Sequence, residues 1–402
     1  MKILHTSDWH LGHELYGYDR EEEHTAFLEQ LREIVKEEQP DVMVVSGDIY
    51  HNAAPSNTVM RMFTEYLDRI RSACPYMQVI VTAGNHDSPS RLEVTQAIWG
   101  HLDVHIIGHI AKNDGMVDFS QHVIPIKDKG MKVCGYVAAL PHIFPQAYPQ
   151  MDPEAPREER QKIFFRELDR YLKLNVPQDL PIVLSAHLAV SGSDITGHDG
   201  TCGGMDYTAL EDLGACPDYV ALGHIHCPQN LPGGRARYCG SPVPVSFDEQ
   251  YVHSVSIVEV GSRGDAPRIR TVPINNPWPL KTIPGDAIPF DEAICQLKAY
   301  PREEQAYIRL NVKLGDAPPH NAFERACQSV SGKRCRFCCF KWEKQERNTN
   351  RSASFQDVEQ MKARSPIEIA DLYYQSRFGS PLTQEYKDML EKVISDMEQE
   401  HE

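Results

Sequence analysis

No window of this chain comes near the ~20 consecutive apolar residues that a membrane-spanning helix requires, so no such helix is expected. The start, Met1-Lys2-Ile3-Leu4-His5-Thr6-Ser7-Asp8, meets polar residues at once and lacks the apolar core and cleavage site of a secretory signal. A cytoplasmic protein with no membrane attachment is the expectation. A disulfide framework is missing too. The eleven cysteines are odd in number and scattered, which argues for reduced thiols. Cys335-x-x-Cys338 followed by Cys339 has no second pair at comparable spacing, so these read as small buried hydrophobes rather than zinc ligands. Positive charge is also in short supply. With 41 Lys and Arg against 57 Asp and Glu the net charge is −16, which argues against gripping nucleic acid through an overall positive field. Any DNA contact must be local, or supplied by metals and a partner. Internal repeats and low-complexity tracts are absent as well.

What is present is the composition of an ordinary globular chain, 41% hydrophobic and 24% charged over 402 residues. That length suits one large catalytic domain with smaller appendages. Three short apolar runs, Lys2–Thr6, Val42–Ser46 and Gln78–Thr82, have the continuous hydrophobicity of strands buried on both faces. Between them Phe27, Leu31, Ile34 and Val35, and then Met60, Phe63, Leu67 and Ile70, recur at helical spacing. Two successive strand-helix-strand units imply parallel strands with right-handed crossovers. In such sheets ligands collect beyond the carboxyl ends of the strands.

Polar residues stand at those ends. The runs lead into Ser7-Asp8-Trp9-His10, Gly47-Asp48 and Gly84-Asn85-His86-Asp87, and two later runs lead into Ala186-His187 and Gly223-His224-Ile225-His226. Asp-x-His sets a carboxylate and an imidazole within reach of one ion. A carboxylate has two oxygens and can bridge two cations, which makes Asp48 the natural shared ligand. In extended chain His224 and His226 point to the same side, so with a slight twist each can take a different ion of a pair. Asp8, His10, Asp48, Asn85, His187, His224 and His226 thus form a candidate dinuclear metal set without a thiolate. His86 lies next to a ligand without being needed as one, which makes it a candidate for stabilising the transition state or protonating a leaving group. His51 is a second candidate, and Asp87 is expected to orient His86 through a hydrogen bond.

The ordered set Asp-x-His, Gly-Asp, Gly-Asn-His-Asp, His, Gly-His-x-His resembles the calcineurin-like metallophosphoesterase superfamily. Ser7–Gly12, Gly47-Asp48-Ile49-Tyr50-His51, Gly223–Gln229 and the Gly240-Ser241-Pro242 stretch narrow the resemblance to its bacterial nuclease subunits, which work with an SbcC-type coiled-coil ATPase. The resemblance implies an α/β fold, a two-sheet sandwich flanked by helices. It implies Asp8, His10, Asp48 and His226 on one metal and Asp48, Asn85, His187 and His224 on the other. The metals it implies are two Mn2+, with Mg2+ as a substitute, and ATP acts only through the partner. The implied activity is double-strand 3'-5' exonuclease and single-strand or hairpin endonuclease in repair and recombination, by a homodimer within a heterotetramer working at the nucleoid. Two other readings of the same residues stand beside it. One is a two-metal phosphodiesterase or phosphatase on nucleotides or phosphoproteins, although phosphatases of the superfamily carry Glu where this chain has Asp87. The other is a scaffold with a vestigial site.

The expected organisation is a nuclease domain over 1–275, a small α/β capping domain over 276–346, a linker over 347–365 and C-terminal helices over 366–402. Those helices carry Leu382, Tyr386, Leu390, Val393 and Met397 on one face, and the resemblance makes them the docking element for the ATPase. It likewise assigns the helices near 57–72 and 91–101 to contact between two copies. Arg91 is a candidate phosphate contact. Arg334, Arg336 and Lys341, interleaved with Phe337, Phe340 and Trp342, are candidate DNA contacts, although the same alternation describes a half-buried strand with a solvated basic face.

Overall fold

The computed structural model describes residues 1–144, 147–152, 156, 159–197, 207–314 and 318–344, with 371, 383, 384, 386, 387 and 389 near the C-terminus. The chain divides into two compact units, Met1–Glu343 and Lys344–Glu402. In the second unit Lys387 pairs with Asp371 at 2.9 Å, and Tyr386 and Met389 are exposed. The expected linker and most of the expected C-terminal helices, with Leu382, Leu390, Val393 and Met397, lie outside the described residues.

The first unit begins with β1 (Lys2–Thr6), α1 (Glu21–Glu38), β2 (Val42–Ser46), α2 (Asn57–Ala73) and β3 (Gln78–Thr82). The short helices α3 (Pro89–Glu93) and α4 (Gln96–Trp99) lead to β4 (Val104–Ile107), and a small ribbon follows, β5 (Lys112–Asn113) with β6 (Met116–Val117). Next come β7 (Val123–Lys127), β8 (Val133–Ala139), α5 (Arg160–Asn175), β9 (Ile182–His187) and β10 (Tyr219–Gly223). β11 (Gln229–Asn230), β12 (Ala236–Tyr238), β13 (Ser254–Glu259) and β14 (Arg268–Pro273) complete two large sheets. The unit ends with β15 (Leu280–Ile288), α6 (Phe290–Ala299), β16 (Tyr307–Leu314), α7 (Ala322–Ser329) and β17 (Arg336–Lys344).

One sheet runs β14-β13-β1-β2-β3-β4 and the other β11-β12-β10-β9-β8-β7. β1 to β4 are mutually parallel, as are β12, β10, β9 and β8. The antiparallel strands β13 and β14 extend the first sheet. The apolar runs of the first hundred residues do not announce them. Side-chain alternation explains the layers. Leu4, Met43, Val45, Val79 and Val81 face α1 and α2, while Ile3, Val42, Val44 and Ile80 face the second sheet. There they meet Val183, Tyr219 and Ala221, whose neighbours Leu184, Val220 and Leu222 face α5. Both faces of both sheets are thereby covered, and each fully buried Val, Leu or Ile contributes ~1.5–3 kcal/mol. This part of the first unit is an α/β two-sheet sandwich flanked by helices, as the sequence leads one to expect.

The helices follow from local chemistry. α1 opens with Glu21, Glu22 and Glu23, which suit the positive end of its dipole. It stops at Gln39, left-handed at φ 47°, immediately before Pro40. α2 starts at Ser56, whose hydroxyl accepts from the Val59 amide. Its buried face is Met62, Phe63, Tyr66, Leu67 and Ile70, with Met60 half-buried at the edge.

β15, β16 and β17 form a separate three-stranded sheet, covered by α6 and α7 around Phe290, Ile294, Leu297, Leu310 and Phe337. A second apolar cluster, Leu15, Phe247, Trp278, Tyr307 and Cys338, joins this sheet to the sandwich. Cys335, just before β17, sits in the first cluster and Cys338 in the second.

Candidate metal centre

The loops after β1 and β2 lie side by side and continue the parallel ladder. The Asp8 amide donates to the Gly47 carbonyl at 3.0 Å and the His10 amide to the Asp48 carbonyl at 3.1 Å. Between Asp8 and His10, Trp9 is buried against Phe27 and Phe63 and donates its indole N–H to Thr6. Anchoring the middle residue in the core leaves both neighbours to the cleft. The same device recurs after β10, where Ile225 is fully buried between His224 and His226.

The glycines of these motifs have a steric task. A Cβ on Gly84 would overlap the Asp48 carboxylate, and one on Gly47, which has φ +87°, would overlap the His187 ring. Asp8, His10, Asp48 and His224 hold φ values of 52°, 45°, 52° and 99°. Left-handed backbone in non-glycine residues costs of order 1–3 kcal/mol each and concentrates at functional sites. For His224 this corrects the extended conformation expected from sequence.

All seven candidate ligands converge, and the donors fall into two groups. His10 Nε2 lies 3.1 Å from His226 Nε2. Asn85 Oδ1 lies 2.9 Å from both His187 Nε2 and His224 Nδ1. Asp48 Oδ2 stands between the groups, 3.7 Å from His10 Nε2 and 3.4 Å from His187 Nε2. Its other oxygen accepts the His86 amide at 2.9 Å. Asp8 accepts the His224 amide at 3.0 Å and the Ser7 hydroxyl, and it clusters with His10 and His226 and with Asp48 and His187. Apart from Asn85, which is half-exposed, these residues are buried.

The donor chemistry fits divalent cations. His187 Nδ1–H donates to the Ser46 carbonyl at 2.8 Å, and His226 Nδ1–H donates to Glu249 at 3.0 Å. With Nδ1 so engaged, Nε2 is the atom each ring offers to the cleft, one beside the Asn85 amide oxygen and the other beside the His10 imidazole. Donors ~2.1 Å from one ion and at right angles stand ~3 Å apart, the spacing seen in both groups. Burial raises the Asp8 carboxyl, against the pull of His187 and His226. Burial would also raise Asp48, but His187 and His10 beside it hold it well below the usual range. Burial would lower His187, yet Asp48 and Asp8 lift it to about 9. Concentrated buried charge of this kind is what a bound cation relieves.

The cleft over these residues has a volume of about 600 Å³ and is also lined by His13, Glu14, Tyr16, His51, His86 and Asp248. His86 Nδ1–H donates to the His51 carbonyl at 2.7 Å, and the two rings stack with centroids 5.6 Å apart. Burial, with His86 adding to it, keeps the His51 imidazole pKa below its ordinary value. His51 Nδ1 is buried without a hydrogen-bond partner.

Asp87 does something other than orient His86. It accepts the amides of Gly84 at 2.8 Å, Tyr50 at 2.9 Å and Ile49 at 3.1 Å, clamping the turn after β3 to the loop after β2. Burial and nearby Asp48 push its carboxyl up to about 6 against those amides. Consecutive side chains diverge, so adjacency in sequence did not become contact.

The expected basic stretch is differently placed. Arg336 stacks on Trp278, 4.0 Å from the ring centroid, and donates to the Tyr307 hydroxyl at 2.8 Å. Arg334 donates to Gln305 at 2.6 Å, and Lys341 pairs with Glu343 at 3.2 Å. Phe337 is buried, and Phe340 and Trp342 pack with Phe290. Interleaving here serves the fold of the small sheet, in keeping with the half-buried strand that the same alternation describes. Arg91 is exposed on α3 and does not line the cleft.

Two site neighbours escape sequence reasoning. His142 follows the end of β8, donates Nδ1–H to the His187 carbonyl at 3.0 Å and stacks against His224. Its position beyond a strand end is the signal that could have found it. Glu249, behind His226, carries no local signal at all.

Comparison with known proteins gives the family. The calcineurin-like phosphoesterase family pattern matches residues 1–228. A Rhodobacter capsulatus protein named as the SbcD subunit of the nuclease SbcCD is 33% identical over 329 residues, covering 78% of this chain and 80% of its own. Proteins of the same name from Escherichia coli and Bacillus subtilis are 27% and 31% identical, over 78% and 64% of this chain and 78% and 66% of their own. The chain belongs to the calcineurin-like phosphoesterase family and, within it, to the SbcD group of SbcCD nuclease subunits.

Proposed function

We propose that this protein hydrolyses phosphodiester bonds of DNA at two divalent metal ions, as the nuclease subunit of a complex with an SbcC-type ATPase. The observation that carries the reading is the pair of donor groups meeting at Asp48 at the base of an open cleft, 3.4 and 3.7 Å from an imidazole of each. Asp8, His10, Asp48 and His226 would hold one ion and Asp48, Asn85, His187 and His224 the other. Oxygen and imidazole donors suit manganese, with magnesium as a substitute. When bound, the ions supply a water of lowered pKa and offset charge on the phosphodiester.

The chain's own residues do the remainder. The Nδ1–H bond to the Ser46 carbonyl fixes the His187 ring with Nε2 toward Asn85. The Asp87 clamp sets the distance between the loops that carry Asp48 and Asn85. His86, with Nδ1–H tied to the His51 carbonyl, presents Nε2 as the atom that delivers a proton to the leaving oxygen. His51 offers its unpartnered Nδ1 to a phosphoryl oxygen or its water. The sheet of residues 276–346 serves as the DNA-facing cap. Residues 366–402 dock the ATPase, through which alone ATP acts. The exposed Val94 and Ile98 support a contact between two copies in a heterotetramer.

The test is a cleavage assay with Mn2+ on linear duplex and hairpin DNA, with and without the ATPase, alongside a phosphopeptide and a cyclic nucleotide. Cleavage of DNA that falls ~10³-fold or more in Asp48→Asn is expected, because losing the shared ligand removes several kcal/mol of transition-state stabilisation. Undiminished cleavage by that variant, or turnover of the phosphopeptide or nucleotide with DNA inert, would contradict the reading.

A further inference from the structure

Glu249 is a carboxylate with no exposed side-chain surface, one residue from an exposed Asp248. It enters the interior on the turn Ser246–Glu249, whose amide returns to the Ser246 carbonyl at 3.2 Å. Its two oxygens have separate tasks. Oε2 accepts from the Ser241 hydroxyl at 3.1 Å and the Val245 amide at 3.2 Å, which ties the loop between β12 and β13 together. Oε1 lies 3.0 Å from His226 Nδ1. Anchoring the loop therefore uses one oxygen, and the second is directed at a candidate metal ligand.

A buried carboxylate costs several kcal/mol unless positive charge answers it. Besides His226, the His253 imidazole lies 3.8 Å from Oε2, while Arg309 of β16 is engaged elsewhere, donating to Asp248 at 2.8 Å and lying over the Phe247 ring. Gly197, at φ +83°, packs over the Glu249 side chain so closely that a Cβ would come within 2.6 Å of Cγ. The carboxylate is thus enclosed, with Oε1 against the His226 imidazole and Oε2 toward that of His253.

We infer that Glu249 is a positioning residue: its Oε1 holds the proton of His226 on Nδ1, so that the Nε2 lone pair is aimed at one of the two cations. The inference rests on the two-metal reading above and adds a residue that its motifs do not contain. Carboxylate behind imidazole behind metal raises the basicity of the ligand and fixes its tautomer and rotation, and losing such a partner typically weakens metal binding ~10–100-fold. The effect falls on one ion. His187 and His224 belong to the other donor group, and the His187 ring is held by the Ser46 carbonyl instead.

The experiment is a Mn2+ titration of the full-length protein and its Glu249→Gln and Glu249→Ala variants, followed by electron paramagnetic resonance, with thermal unfolding of the metal-free forms in parallel. Wild type is expected to bind two ions and to show the signal of a coupled pair. In Glu249→Ala one ion should weaken ~10–100-fold while the other keeps its affinity, so that a mononuclear signal dominates at intermediate Mn2+. Glu249→Gln, whose amide oxygen still accepts the Nδ1 proton, should lie between. Retention of one tight ion also shows that the variant is folded. Unchanged affinity for both ions with a lowered unfolding midpoint would overturn the inference and leave Glu249 a loop anchor. Equal weakening of both ions in folded Glu249→Gln would overturn it too. A wild-type protein that binds fewer than two ions would instead remove the two-metal reading on which it rests.

Discussion

The metal pocket and strand β17 both concentrate chemically capable side chains, yet they put them to opposite uses. In the pocket, histidines and carboxylates stand just past strand ends, where the ladder stops and the chain turns into a cleft. Along β17 Arg336, Lys341 and the aromatics sit within the strand, so alternation sends Phe337 into the core and Arg336 onto Trp278 and Tyr307. Residue type alone does not separate the cases. What separates them is whether the backbone continues: within a strand each side chain is claimed by a face, whereas beyond its end several strands can deliver theirs to one point.

That contrast can be broken at several places. The largest effect is expected for His86→Ala, which should lower turnover ~10²–10⁴-fold while two Mn2+ remain bound. Single-turnover cleavage and elemental analysis check both halves, and loss of metal along with activity would place His86 among the ligands. Next comes pH. His187 is lifted to about 9 by Asp48 and Asp8, so below that pH the metal-free site carries a proton there that an incoming cation must displace. Apparent metal affinity should therefore rise between pH 7 and 9, approaching about tenfold per unit for one proton released. Calorimetric titration at three pH values would show it, and a flat profile would remove His187 from the ligand set. The smallest effect belongs to β17. Arg336→Ala should cost about 1–2 kcal/mol of stability through its lost stacking, measurable in urea unfolding, while metal content stays the same. A stable variant with weakened DNA binding would instead return Arg336 to the role of a DNA contact.

The same contrast explains what was legible. β1, β2 and β3 were, because strands covered on both faces are uninterrupted apolar runs, and the turn glycines and ligands after them form compact motifs. β13 and β14 were not, since β14 is an edge strand with mostly exposed side chains and pairing direction is not written in either segment. Within the site, the seven candidate ligands could be picked out because chain order and spacing present them together. Asp87 was misjudged because adjacency suggested contact with His86, whereas its carboxylate turns back to three amides. Glu249 was invisible. It reaches His226 across a tertiary contact of 23 positions, and no short pattern encodes that approach.

The claim on which everything else depends is that Asp48 stands between two cations. Anomalous diffraction at the manganese edge, from crystals of the protein grown with Mn2+, tests it directly. The expected result is two peaks ~3.5–4 Å apart, both adjoining the Asp48 carboxylate, one beside His10 and His226 and the other beside Asn85, His187 and His224. A single peak, or peaks that leave Asp48 uncoordinated, would contradict the account.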